Sequence, residues 1–63
     1  MSLRRYVITC EHHGRIRTIV LREIFAFSVT DAINEFMNWH ERHYPHRRVY
    51  NLTCTHNEIF SDF

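Results

Sequence analysis

Alternating hydrophobic and polar residues predict two β-strands near the N-terminus. Residues 3–10 alternate strictly, and residues 15–27 are rich in β-branched and aromatic side chains. The second stretch carries apolar residues on both parities, so we expect it to be bulged near residues 22–23 or buried on both faces. Residues 12–14 (His-His-Gly) have the length of a three-residue hairpin loop with the glycine in the left-handed conformation.

Helical spacing replaces the alternation over residues 29–43. Ser28 is suited to cap the N-terminus of this helix, with Asp31 three residues further on. Pro45 disfavours helical geometry at Tyr44, so we expect the helix to stop there. The apolar stripe of the predicted helix comprises Val29, Ala32, Ile33, Phe36, Met37 and His40.

Residues 47–55 alternate again and predict a third strand, with Tyr50, Leu52 and Cys54 on one face. The order strand–strand–helix–strand favours an α+β fold in which one helix packs on one face of a three-stranded sheet. A right-handed crossover lets the third strand pair beside the first strand, antiparallel to it. We therefore expect a single ββαβ domain over residues 1–56, with sheet order 2-1-3, and a C-terminal tail at residues 57–63.

The fragments TCEH and TCTH raise the question of a metal site built from Cys10, His12, Cys54 and His56. The two cysteines end antiparallel strands in the predicted topology, so we expect them at opposite ends of the sheet, about 26 Å apart at roughly 3.3 Å per residue. Zinc needs its ligands within about 2.3 Å. The sequence therefore predicts two free core cysteines, no metal site and no cofactor, with a metal-stabilised small domain as an alternative.

Composition and motifs limit the class of protein. Sixty-three residues with 44% hydrophobic side chains indicate one small globular domain. The chain has neither a run of roughly 20 apolar residues for a membrane helix nor the apolar core of a signal peptide, so we expect a cytoplasmic protein without membrane contact. The spacing of His40 and His43 differs from the metalloprotease pattern, and no nucleophile and base are brought together, so we expect no enzyme.

The basic residues have an unusual composition, because all eight are arginine. Arginine presents a flat fork of donors that suits carboxylates and phosphates. The predicted topology gathers many arginines and histidines at the end of the sheet that holds the hairpin loop, and we call this set the Arg/His pole. Its residues are His12, His13, Arg15, Arg17, Arg42, His43, His46, Arg47 and Arg48. The pole is either a solvated end paired with nearby acids or a surface for an acidic protein or a phosphate backbone.

A three-stranded sheet with one helix leaves its outer face open, and this face is a candidate protein interface. Self-association as a homodimer or binding of another protein would cover it. The residues expected to contribute are Val7, Trp39, Val49, Ile59, Phe60 and Phe63.

The pattern "YVITC … GRIRTIVLREIFAFSVTDAINEFMNWHERHYP … RRVYNLTC" resembles the strand–strand–helix–strand layout of a small phage inhibitor of bacterial RNA polymerase. The size, the opening "MSLRRYVITC" and the aromatic content are also similar to those of small accessory proteins from the early regions of lambdoid bacteriophages. The resemblance covers about residues 5–55 and includes no diagnostic residues, and the strongly negative character of the inhibitor is absent here. It implies a non-enzymatic regulatory role in phage development or host takeover, exerted in the host cytoplasm by binding a host or phage protein. Nucleic-acid binding through the Arg/His pole is the alternative.

Overall fold

The computed structural model describes residues 3–56. Its elements are β1 (Arg4–His12), β2 (Thr18–Ala26), α1 (Val29–His43) and β3 (Tyr50–His56). The strands form one antiparallel sheet in the order β2-β1-β3. The predicted ββαβ fold and sheet order are therefore confirmed. The predicted tail, with Ile59, Phe60 and Phe63, lies outside the described residues.

Strand β1 is the centre of the sheet and supplies much of the core. Its side chains alternate, so that every second residue faces the helix. Those four residues are Tyr6, Ile8, Cys10 and His12, and each is buried. Ile24 and Ala26 from β2 and Ala32 and Phe36 from α1 complete the core.

The β1–β2 hairpin is longer than expected. The two strands pair without interruption from Arg4 opposite Ala26 to His12 opposite Thr18, which leaves residues 13–17 as a five-residue loop. Gly14 does not have a positive φ. The predicted three-residue loop with a left-handed glycine is therefore wrong, because the longer connection reverses the chain without such a residue.

Strand β2 is neither bulged nor buried on both faces, so both expectations for it are wrong. The continuous register places Val20 and Ile24 on the core side of the sheet. Ile19, Leu21 and Phe25 occupy the outer face, where they are 71%, 65% and 56% exposed. Strand β2 therefore has apolar residues at both odd and even positions because its outer face is apolar and uncovered.

The irregularity of the sheet lies in β3. Thr9 pairs with Thr53, but Glu11 pairs with Tyr50, so one extra residue is inserted opposite Cys10. Asn51 has a φ of 50° at this point. The bulge turns Tyr50 to the outer face, where its ring stacks on His13 with a centroid distance of 4.1 Å. The prediction that Tyr50 shares a face with Leu52 is therefore wrong.

Helix α1 has the predicted bounds and N-cap. Ser28 is extended, and its side-chain oxygen accepts a hydrogen bond from the Asp31 backbone N–H at 3.2 Å. The residues buried against the sheet are Ala32, Phe36 and His40, at four-residue spacing. Val29 and Met37 are 47% and 40% exposed. They were expected on the buried stripe, but they lie beside the row that meets the sheet.

Candidate functional site

A buried cluster joins the hairpin end of β1 to the C-terminal half of α1. Cys10 and His12 are two residues apart on β1 and therefore point to the same face, and His40 comes down from the helix. One ligand-type atom from each of these three side chains lies within 4.8 Å of the others. The two histidine rings meet Nε2 to Nε2 at 2.7 Å.

Burial sets the protonation of the cluster. It lowers the pKa of His12, with smaller contributions from the charges of Arg47 and His40, and it also lowers the pKa of His40. Burial raises the pKa of the Cys10 thiol. All three side chains are therefore held in their neutral forms near pH 7, and one imidazole donates the hydrogen bond that the other accepts.

The cysteines are not at opposite ends of the sheet, and that prediction is wrong. Cys54 pairs with Ile8, so it lies on the core side of the sheet, diagonally across from Cys10. Strand β1 continues to His12 and β3 begins at Tyr50 instead of residue 47, so the register brings Cys54 close to the middle of β1. Both cysteines are free thiols. His56 pairs with Tyr6 and stacks on its ring, which separates it from Cys10 by four positions along β1.

The outer face of the sheet is a second candidate site. Its β2 edge carries three exposed apolar side chains, Ile19, Leu21 and Phe25, which we call the apolar strip, and the exposed Ile16 of the hairpin loop lies beyond Ile19. Glu23 lies between Leu21 and Phe25 on this face and forms an ion pair with Arg5. The β1 and β3 part is mainly polar apart from Val7 and Tyr50, and it contains a hydrogen bond between the hydroxyl groups of Thr9 and Thr53. Ile19 and Leu21 are next to one another on this face, and both are well exposed. Such patches mark interaction surfaces.

The predicted interface residues do not form one surface. Val7 lies on the outer face. Trp39 is on the helix side, where its half-buried ring packs against the core and lies under the guanidinium of Arg22 at 4.5 Å. Val49 packs against the core instead of standing on the outer face, because the bulge at Asn51 shifts the residues before it.

The Arg/His pole is only partly a free surface. His12 is 4% exposed, so it is buried and lies outside the exposed part of the pole. His13 bonds to Glu11 at 3.0 Å, and Arg17 contacts the same carboxylate at 3.5 Å. Near the helix C-terminus, the ring of His43 stacks on Trp39. The remaining predicted members of the pole are exposed, namely Arg15, Arg42, His46, Arg47 and Arg48.

Two sets of contacts bring parts of the pole together. A shallow depression is lined by Gly14, Arg15, Tyr44 and Arg47, so the hairpin loop and the segment after the helix are neighbours. A Cβ placed on Gly14 would lie 3.8 Å from a guanidinium nitrogen of Arg47. The predicted proximity of these two segments is therefore present in the structure.

Sequence reasoning missed the partner of His12. His40 was assigned to the packed face of the helix, which is where it lies, but nothing local indicates that it faces Cys10 and His12. The available signal was the two-residue spacing of Cys10 and His12 on an extended β1. In the sequence, Ile19, Leu21 and Phe25 form one of two alternating sets of apolar residues in β2. Nothing in the sequence indicates which of the two sets is exposed.

Comparison with known proteins gives no family for this chain. No family model matches it, and neither the curated proteins nor the solved structures contain a significant match. Within residues 3–56, no helix has both the length and the apolar character required to cross a membrane.

Proposed function

We propose that this protein is a small non-enzymatic regulatory protein that acts by binding another protein through the outer face of its sheet. The observation that carries the proposal is the apolar strip along β2, where Ile19, Leu21 and Phe25 are more than half exposed. Exposing these three large apolar side chains to water costs roughly 25 cal/mol of free energy for each Å² of apolar surface. Covering this strip with a partner recovers that free energy.

The surroundings of the strip define the chemistry of the partner. Arg15 and Arg17 flank the exposed Ile16 at one end of the strip. The carboxylate of Glu11 already contacts Arg17, whereas Arg15 borders the open depression with Arg47. A matching partner has an apolar surface bordered by carboxylates, since arginine forks bind carboxylates with two parallel hydrogen bonds.

The resemblance to small phage early-region proteins supports a biological setting for this binding. In that setting the protein works in the host cytoplasm, during phage development or host takeover, on a host or phage protein. Partners of this kind are recognised by a few central apolar anchors surrounded by polar contacts. Leu21, in the middle of the strip, is the residue best placed to serve as such an anchor.

Affinity capture with matched variants tests the proposal. We expect wild-type protein to retain a specific protein from bacterial lysate, and Leu21→Glu to weaken its binding at least tenfold. Met37→Glu is the control, because Met37 is also exposed but lies on the helix. Both positions are exposed, so neither change is expected to alter stability by more than about 0.5 kcal/mol. Equal binding by wild type and Leu21→Glu would contradict the proposal.

Nucleic-acid binding is the second candidate, favoured by the shared lining of the depression by Arg15 and Arg47. Phosphate contacts predict that affinity falls steeply with salt. The double variant Arg47→Ala and Arg48→Ala should then weaken binding to all sequences alike, while Arg4→Ala, on the opposite end of β1, should not. A mobility-shift assay that detects no complex at low salt excludes this candidate.

A further inference from the structure

We propose that Cys10, His12 and His40 form a binding site for a zinc-class transition-metal ion. The proposal rests on three side chains from two elements that converge in a buried place. A thiol and two imidazoles are the ligand types that zinc selects. The site is distinct from the outer sheet face and does not depend on the proposed protein binding.

The distances require only a small adjustment. Two imidazole nitrogens at about 2.0–2.1 Å from a tetrahedral zinc ion lie roughly 3.3 Å apart. The Nε2 atoms of His12 and His40 are 2.7 Å apart, so metal entry separates them by a few tenths of an ångström. The sulfur lies within 4.8 Å of a ring nitrogen of each histidine and has to move inward to bind.

The position of the cluster in the fold explains what a metal ion would do there. Cys10 and His12 belong to the central strand, and His40 belongs to the only helix among the described residues, so an ion would join sheet and helix directly. A small domain has few other core contacts to do this. Binding to the folded state alone stabilises that state in proportion to the logarithm of the metal concentration.

Access to the cluster is available from the side of Tyr44 and Arg47. His12 borders one surface depression and His40 borders another, and both depressions are also lined by Tyr44 and Arg47. Three protein ligands leave one coordination position of a tetrahedral ion for a water molecule. Metal binding releases the thiol proton of Cys10 to solvent, and the imidazole that donated the hydrogen bond shifts its proton to Nδ1 so that both Nε2 atoms can act as ligands. The resulting thiolate offsets part of the metal charge near the guanidinium of Arg47.

Cobalt(II) titration of the full chain tests the proposal, because Co²⁺ substitutes for zinc and reports its ligands by absorption. After removal of metal with a chelator, we expect one Co²⁺ per chain with thiolate-to-metal charge-transfer absorption, and Zn²⁺ should displace it. Zn²⁺ should also raise the melting temperature. Absence of both the charge-transfer band and the thermal shift in wild-type protein would overturn the proposal.

Matched variants locate the site. Cys10→Ala should abolish the charge-transfer band, and His40→Gln should weaken Co²⁺ binding at least tenfold. Cys54→Ala, which removes the other free cysteine on the same face, should leave both unchanged, as should His46→Gln at an exposed histidine. If Cys54→Ala or His46→Gln removes the signal while Cys10→Ala retains it, the assigned ligands are wrong. The wild-type spectrum remains decisive even where a ligand variant fails to fold.

Discussion

His12 and His40 face each other Nε2 to Nε2 at 2.7 Å, which ties the end of the central strand to the last turns of the helix. The two rings are nearly perpendicular, and Tyr44 packs edge-on against His12 with a centroid distance of 4.9 Å. Only one proton can lie between the two facing nitrogens. Protonation of both imidazoles therefore breaks the contact and places two positive charges in a buried site.

Acid should destabilise the protein in the range where these histidines titrate. Their pKa values in the folded state are lowered from the ordinary value of 6.5, mainly by burial. The unfolded chain then binds more protons than the folded chain. The stabilisation that the neutral pair provides is therefore complete above about pH 7, and the free energy of unfolding falls as the pH drops through and below 6.5. Urea denaturation of metal-free protein at pH 7.5, 6.5 and 5.5 measures this slope.

An exposed histidine provides the control for the pH dependence. His46→Gln should keep the slope, because His46 is exposed and outside the cluster. Glu11 has a pKa lowered from 4.5, chiefly by hydrogen bonds to His13 and Asn51, and so titrates below this pH range. A free energy of unfolding that is the same at pH 7.5 and 5.5 would show that the pair is not held neutral.

The bulge at Asn51 predicts an unusual order of substitutions. Asn51 has a φ of 50°, a conformation that costs most L-residues about 1–2 kcal/mol and glycine almost nothing. Asn51→Ala should therefore be less stable than Asn51→Gly by about 1 kcal/mol. Both changes remove the Asn51 amide group, which lowers the pKa of Glu11, so the difference between them reports mainly the backbone. Equal stability of the two variants in urea would mean that the left-handed conformation is not kept.

The N-cap of α1 supports a third prediction. Ser28→Ala removes the acceptor of the Asp31 N–H and should lower the free energy of unfolding by about 1 kcal/mol. Ser28→Asp keeps an acceptor at this position and adds a negative charge at the positive end of the helix dipole, so it should retain wild-type stability. Thermal or urea denaturation compares the three proteins. A loss in Ser28→Asp as large as in Ser28→Ala would indicate that capping is not the cause.

The oligomeric state follows from the proposed occupant of the outer face. If the apolar strip serves a different protein, the isolated chain should have the mass of a monomer at micromolar concentration by light scattering. Leu21→Glu should then leave the mass unchanged. A wild-type dimer that Leu21→Glu dissociates would instead assign the strip to a second copy of the chain.

The sequence was sufficient for the fold because each element has its own local signal. Alternation around Ile8, the Ser28 cap and the four-residue spacing of Ala32 and Phe36 are properties of neighbouring residues. The bulge at Asn51 and the length of the hairpin loop depend on how β1 pairs with its neighbours, which no single segment specifies. The approach of His40 to Cys10 depends on the packing of the helix on the sheet, so the metal-type cluster appeared only in three dimensions.

Site-specific photocrosslinking tests the outer face most directly. Leu21→p-benzoylphenylalanine would be expressed in bacterial cells and irradiated, with Met37→p-benzoylphenylalanine as the control on the helix. We expect a covalent adduct with a different protein from position 21 and not from position 37. No adduct at position 21, an adduct with a second copy of this chain, or equal adducts from both positions would contradict it.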